Sequence, residues 1–255
     1  MPAPRALSPF AAALALSAAF ALAPGEARAA ETGRLWIYAA GNLQLTPEWT
    51  LTLMPGLRYE FERSGAPAKE HYLDEVFVGP SWSRRWGDLG FKLSLWYYFL
   101  GYPRPGSYPV SHNLELIPTV DYQIGALNLS YRAIFHNTFY ASVYPGPQRW
   151  GFGTVMRNLV LLKYRIVPSF SLLLGDEPWF GILENAGTGT KYNSAGYWQS
   201  GLRLNRLYAG LDWKIAGGLA LSPQYIFETT FGPNGQGTET GHYVFVTVSY
   251  THKAF

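Results

Sequence analysis

The chain has 255 residues, no cysteine and a formal charge of +3, with 16% aromatic residues that include nine Trp and eighteen Tyr. The missing cysteines exclude a disulfide-stapled secreted scaffold, and the lack of a basic cluster argues against nucleic acid as a partner. The length beyond a short leader is that of one domain.

Met1–Arg5 is a short positive stretch, Phe10–Ala23 an apolar run, and Ala27-Arg28-Ala29 a small-x-small pattern. That order is a secretory leader with cleavage expected after Ala29, and its apolar run falls short of the roughly 20 residues of a spanning helix. The expected division is residues 1–29 as signal peptide and 30–255 as one folded unit.

From there the chain alternates apolar and polar residues with period two, the mark of strands with one face of each kind. Arg34–Leu45 sets Leu35, Ile37 and Ala39 against Trp36 and Tyr38. Trp49–Glu62 sets Leu51, Leu53 and Leu57 against Arg58, Glu60 and Glu62, with Pro55-Gly56 predicting a bulge or bend. His71–Ser83, Leu89–Leu100, Asn113–Gln123, Leu127–Thr138, Thr154–Arg165 and Ser169–Phe180 continue the pattern. Trp198–Ile215 follows, and its phase slips near Asn205-Arg206, as at a bulge or a missed turn. A tight turn at Ala216-Gly217-Gly218 leads into Leu219–Phe231. The last strand is expected over His242–Tyr250, with Thr251–Phe255 as a tail.

Segments of about 12–14 residues are long for a soluble sheet, where 5–6 is typical, and suit strands tilted across a bilayer. Connections also alternate: short at Thr46–Glu48, Arg84–Asp88, Ile124–Ala126, Val167–Pro168 and Ala216–Gly218, long between them. Short turns on one side and long loops on the other are the habit of outer-membrane barrels. The expected fold is all-β: an antiparallel transmembrane up-and-down β-barrel of ten to twelve strands. Eleven segments qualify, whereas bacterial single-chain barrels have even numbers. Either the first strand is not a full member or one strand is hidden.

The run Arg157-Asn158-Leu159, then Leu174-Gly175-Asp176-Glu177-Pro178-Trp179-Phe180, then Leu204-Asn205-Arg206-Leu207-Tyr208-Ala209-Gly210-Leu211 resembles domain-of-unknown-function family 2490. Its members are bacterial outer-membrane barrels without an assigned activity. The resemblance implies the fold and the outer membrane, and brings no catalytic residues.

The polar faces place Arg58, Glu60, Glu62, Glu115, Asp121, Arg132, Arg157, Lys163, Arg203, Arg206, Asp212 and Glu228 as lumen-lining residues. In a barrel of this size side chains can largely fill the interior. The expected role is a structural or narrow-pore barrel with a charged lumen. The alternative is an outer-membrane lipid- or lipopolysaccharide-modifying enzyme, an acyl hydrolase built on His136 with Ser130, or on Ser111-His112-Asn113. The five His are not spaced as a metal site. Asp176-Glu177-Pro178-Trp179-Phe180 reads as an interface aromatic group whose acids meet solvent or lumenal Arg. No cofactor, metal or nucleic acid is expected; the partners are outer-membrane lipids and the assembly machinery used in biogenesis.

Overall fold

A computed structural model describes residues 30–142, 150–183, 200–231 and 237–255. The expected leader and much of three long loops lie outside the described residues. Eleven strands form one closed barrel: β1 (Ala30–Gln44), β2 (Trp49–Arg63), β3 (Glu70–Trp86), β4 (Leu89–Gly101), β5 (Val110–Ile124), β6 (Leu127–Ala141), β7 (Trp150–Val167), β8 (Phe170–Leu183), β9 (Gly201–Ala216), β10 (Leu219–Phe231) and β11 (Gly237–Lys253). Each pairs antiparallel with its sequence neighbours.

Closure is the exception to the antiparallel expectation. A meander with an odd strand count ends running the way it began, so β1 and β11 pair in parallel, from Ala30 opposite Glu239 to Gln44 opposite Lys253. The ladder is unbroken over all fifteen residues of β1. The eleven segments were therefore all real strands, and the even-number rule was what misled.

Two local expectations change and one open alternative is settled. The ladder keeps its register across Pro55, with Tyr38 opposite Gly56 and Gly41 opposite Leu53. Gly56 is needed because a Cβ there would overlap the Tyr38 ring. The phase slip in β9 is a bulge, not a turn: Trp179 pairs with Leu204 and Phe180 with Leu202, which leaves Arg203 as the extra residue. β11 continues past Tyr250 to Lys253, so Thr251 belongs to the strand and Phe255 lies beyond it. The β9–β10 hairpin turns on Gly217 (φ 56°) and Gly218 (φ 88°), the left-handed pair a two-residue primed turn requires.

Two-residue turns or the four-residue Leu45–Glu48 link strands at one rim, and the long loops at the other. The outer wall is apolar. Leu53, Leu95, Leu116, Val120, Leu129, Leu172, Leu174 and Val244 are each 40–52% exposed on outward positions. Outward aromatics gather near the short-turn rim at Trp49, Trp86, Tyr122, Tyr164, Trp213 and Tyr250. On β2, Trp49 and Tyr59 mark the two edges of this wall. Their ten-residue separation, at about 3.3 Å per residue and a tilt of about 40°, spans about 25 Å.

Candidate functional site: the barrel interior

Inward positions stack in layers, because alternate residues of every strand point to the axis. The layer nearer the long loops is a belt of ion pairs. Glu60 on β2 accepts from Arg63 (2.7 Å) and from Arg34 on β1 (3.1 Å). Arg34 also reaches Glu239 on β11 (2.7 Å) and Glu228 on β10 (3.8 Å). Arg206 on β9 joins Glu228 (2.6 Å) to Glu177 on β8 (3.7 Å). Arg157 on β7 joins Glu177 (2.9 Å) to Glu115 on β5 (3.8 Å), and Glu115 is held by His136 on β6 (2.8 Å). Glu75 on β3 receives Arg58 (2.6 Å) and the hydroxyls of Tyr38 and of Tyr98 on β4. All eleven strands contribute. Glu60, Glu75, Glu115 and Glu177 are at most 1% exposed. A carboxylate that deep in the barrel is tolerated only because each has at least one guanidinium and further donors.

Aromatic rings stand inside this belt. Trp36 lies between the guanidiniums of Arg58 (3.8 Å to the ring centroid) and Arg206 (4.9 Å). Trp179 lies between Arg206 (4.3 Å) and Arg157 (4.2 Å). The result is a stack, Arg58–Trp36–Arg206–Trp179–Arg157, each member bound through cation–π contact. Side chains from five strands thus meet inside the barrel, where an open pore would hold water.

Below the belt is an apolar layer, and below that a polar one. Phe77, Ile117, Ile134, Leu159, Leu173 and Ile226 are all buried and, together with belt residues such as Trp36, Arg58, Arg157 and Arg206, line a cavity of about 640 Å³. Lys92, Thr119 and Arg132 form one transverse row beneath it, since Thr119 pairs with both Lys92 and Arg132. All three line the same cavity. Nearest the short turns, a second cavity of about 400 Å³ is lined by Arg85, Lys163, Arg165 and Lys214 together with Asp121. Ser130 and Leu161 line both cavities.

The sequence-derived lumen residues fall into these layers unequally. Arg58, Glu60, Glu115, Arg157, Arg206 and Glu228 are in the belt. Asp121 pairs with Arg85, and Lys163 with Asp212, in the vestibule. Arg203 is turned inward by its bulge and donates to the Ser200 carbonyl. Glu62 is the correction: the extra residue Phe61 shifts the register beside Gly33, so Glu62 is exposed and Arg63 takes the inward place. Arg132 is in none of the ion pairs among the described residues. Glu177 meets lumenal Arg, as one reading of its motif expected. Arg34, Arg63 and Glu239 were missed, as was the inward role of Trp36 and Trp179.

For hydrolase chemistry, His136 is oriented by Glu115 rather than by Ser130, and its Nε2 lies 3.4 Å from Thr138 Oγ1. This is the order hydroxyl, imidazole, carboxylate. Yet Thr138 is 1% exposed and its hydroxyl is bonded to Asn113 Oδ1. Ser111 also binds Asn113 (3.2 Å), and His112 faces outward to the Tyr97 hydroxyl (2.6 Å). Among the described residues no group of three His, Cys, Asp or Glu is arranged to hold a metal ion.

Comparison of the chain with protein-family models, with curated proteins and with solved structures gives no match. Function is therefore argued from the barrel itself.

Proposed function

We propose that this protein is a bacterial outer-membrane β-barrel whose lumen is plugged by its own side chains, a structural barrel rather than a general pore. The membrane reading is supported by an apolar outer wall, aromatic clusters near its edge and a closed sheet without free strand edges. The leader-like N-terminal pattern agrees with export. The observation that carries the plug is the Arg58–Trp36–Arg206–Trp179–Arg157 stack inside the ion-paired belt. Purified protein in planar bilayers is expected to give little or no conductance. Replacing both Trp36 and Trp179 by Ala removes the rings that stand inside the belt and should raise it. A wild-type conductance of porin size, unchanged in that variant, refutes the plug.

The Thr138–His136–Glu115 row is the one arrangement a hydrolase reading would use. With its hydroxyl buried and already bonded, the expected outcome of a lipid-hydrolysis assay on the same sample is no turnover above a His136→Ala control.

A further inference from the structure

We propose that the cavity running from the belt to the Lys92–Thr119–Arg132 row is a binding site for a compact amphipathic acid, its head a single carboxylate or phosphate and its body apolar. The head belongs at the Lys92–Thr119–Arg132 row. Lys92 and Arg132 make no ion pair among the described residues, although they lie inside a barrel where Arg34, Arg58, Arg157 and Arg206 are each matched to a carboxylate. Arg132 Nε is buried with no hydrogen-bond partner among the described protein atoms. Two cations with unspent donors on one row, with a hydroxyl between them, repel each other and attract an anion. Lys92 is flanked on its row by Ser83 and Thr119, short side chains that leave space around its ammonium group.

The body of the ligand is specified by what lies above. Ile117 and Ile134 are the next inward residues up from Thr119 and Arg132, Leu159 stands beside Arg132 on its row, and Leu173, Ile226 and Phe77 line the same cavity. At about 640 Å³ the space is in the range of small-ligand sites, about 300–1,000 Å³. Ser130 and Leu161 line both this cavity and the one at the short turns, so the short-turn mouth offers a route of entry. There Arg85 and Lys163 are paired with Asp121 and Asp212, while Arg165 and Lys214 are in none of the ion pairs among the described residues. That vestibule is positive on balance and would concentrate anions at the entrance.

The test uses the full-length protein held in amphipol, with octanoate, octyl phosphate, octanol and inorganic phosphate as probes in equilibrium binding. Saturable binding of about one octanoate or octyl phosphate per chain is expected, and whichever binds more tightly identifies the head. Lys92→Met and Arg132→Met should each weaken it at least tenfold. Lys92→Met removes an unpaired cation, so its melting temperature should equal or exceed wild type, which separates lost binding from lost fold; Arg132 also attracts the buried Glu177 carboxylate, so Arg132→Lys, which keeps the charge and loses the fork, is measured beside Arg132→Met. A second control, Arg165→Met with Lys214→Met, should slow uptake without changing the equilibrium by more than about twofold. Octanol bound as tightly as octanoate, inorganic phosphate bound as tightly as octyl phosphate, or binding untouched by both cavity variants would overturn the proposal. So would the absence of saturable binding by either acid.

Discussion

Replacing Glu177 by Leu removes the carboxylate that links Arg157 to Arg206 in the belt while keeping most of its volume. Glu177 is 0% exposed, accepts from Arg157 at 2.9 and 3.1 Å, lies 3.7 Å from Arg206 and receives the Tyr208 hydroxyl. Removing one partner of a buried pair costs about 3–5 kcal/mol, because the other charge is left uncompensated. Here Arg206 keeps Glu228 at 2.6 Å and Arg157 keeps Glu115 at 3.8 Å, which favours the low end, about 3 kcal/mol. An orphaned Tyr208 hydroxyl adds about 1 kcal/mol. The expected loss is therefore about 3–4 kcal/mol, measured by reversible urea unfolding in lipid vesicles. Adding Arg157→Met to the Leu variant should restore part of it, with a coupling of at least about 1.5 kcal/mol in the double-mutant cycle. A Glu177→Leu protein within about 0.5 kcal/mol of wild type, the scatter of an uncoupled surface change, would refute the belt as a source of stability.

Arg placed at Leu116 or Val120, outward and mid-wall, should cost about 2–4 kcal/mol by the same unfolding assay, against about 0–1 kcal/mol at Tyr122, outward near the short-turn rim. Gly218→Ala should slow refolding and lower stability, since its φ is 88° and a Cβ would overlap the Thr251 carbonyl; the companion Gly106→Ala, in open space, should cost less. The Tyr108 hydroxyl, held up to about 12 by partial burial and by its bond to Asp74 (2.6 Å), pins the 102–109 loop to β3. Because its proton is held more tightly in the fold, that contact is present below pH about 10 and is lost as pH rises through about 12. Tyr108→Phe should make the loop cleavable by added protease at pH 8, and unchanged cleavage would remove the pin.

The strands were legible because period-two alternation survives in each of them, and the inward phase of Trp36, Tyr38, Trp96 and Tyr98 could be read with it. Composition pulled the other way: abundant Trp and Tyr suggested interface girdles, yet part of that supply sits inside, sandwiching guanidiniums. Which carboxylate meets which guanidinium was not legible. Arg206 finds Glu177 and Glu228 only through the register of β8, β9 and β10, and a single extra residue at Phe61 exchanges Glu62 for Arg63. Lys92 and Arg132 were both visible as polar-face residues. That they share a row depends on Thr119 pairing with each, which no local pattern encodes. Eleven strands are legible too; the even-number habit of bacterial barrels argues against that count, and the parallel pairing of β1 with β11 is what accommodates it.

The parallel seam bears on how this chain could be rewired. In an even-stranded meander the first and last strands end at the same rim, and a short turn suffices to join them. Here the C-terminal end of β11 is level with Gln44, a full strand away from Ala30. A circular permutant must bridge fifteen residues of wall, about 50 Å along the strand. In a bilayer that bridge has no unpaired route down the outside. A short Gly-Ser linker should therefore abolish folding, whereas a fifteen-residue amphipathic linker flanked by turns should enter the seam as a twelfth strand and turn it antiparallel.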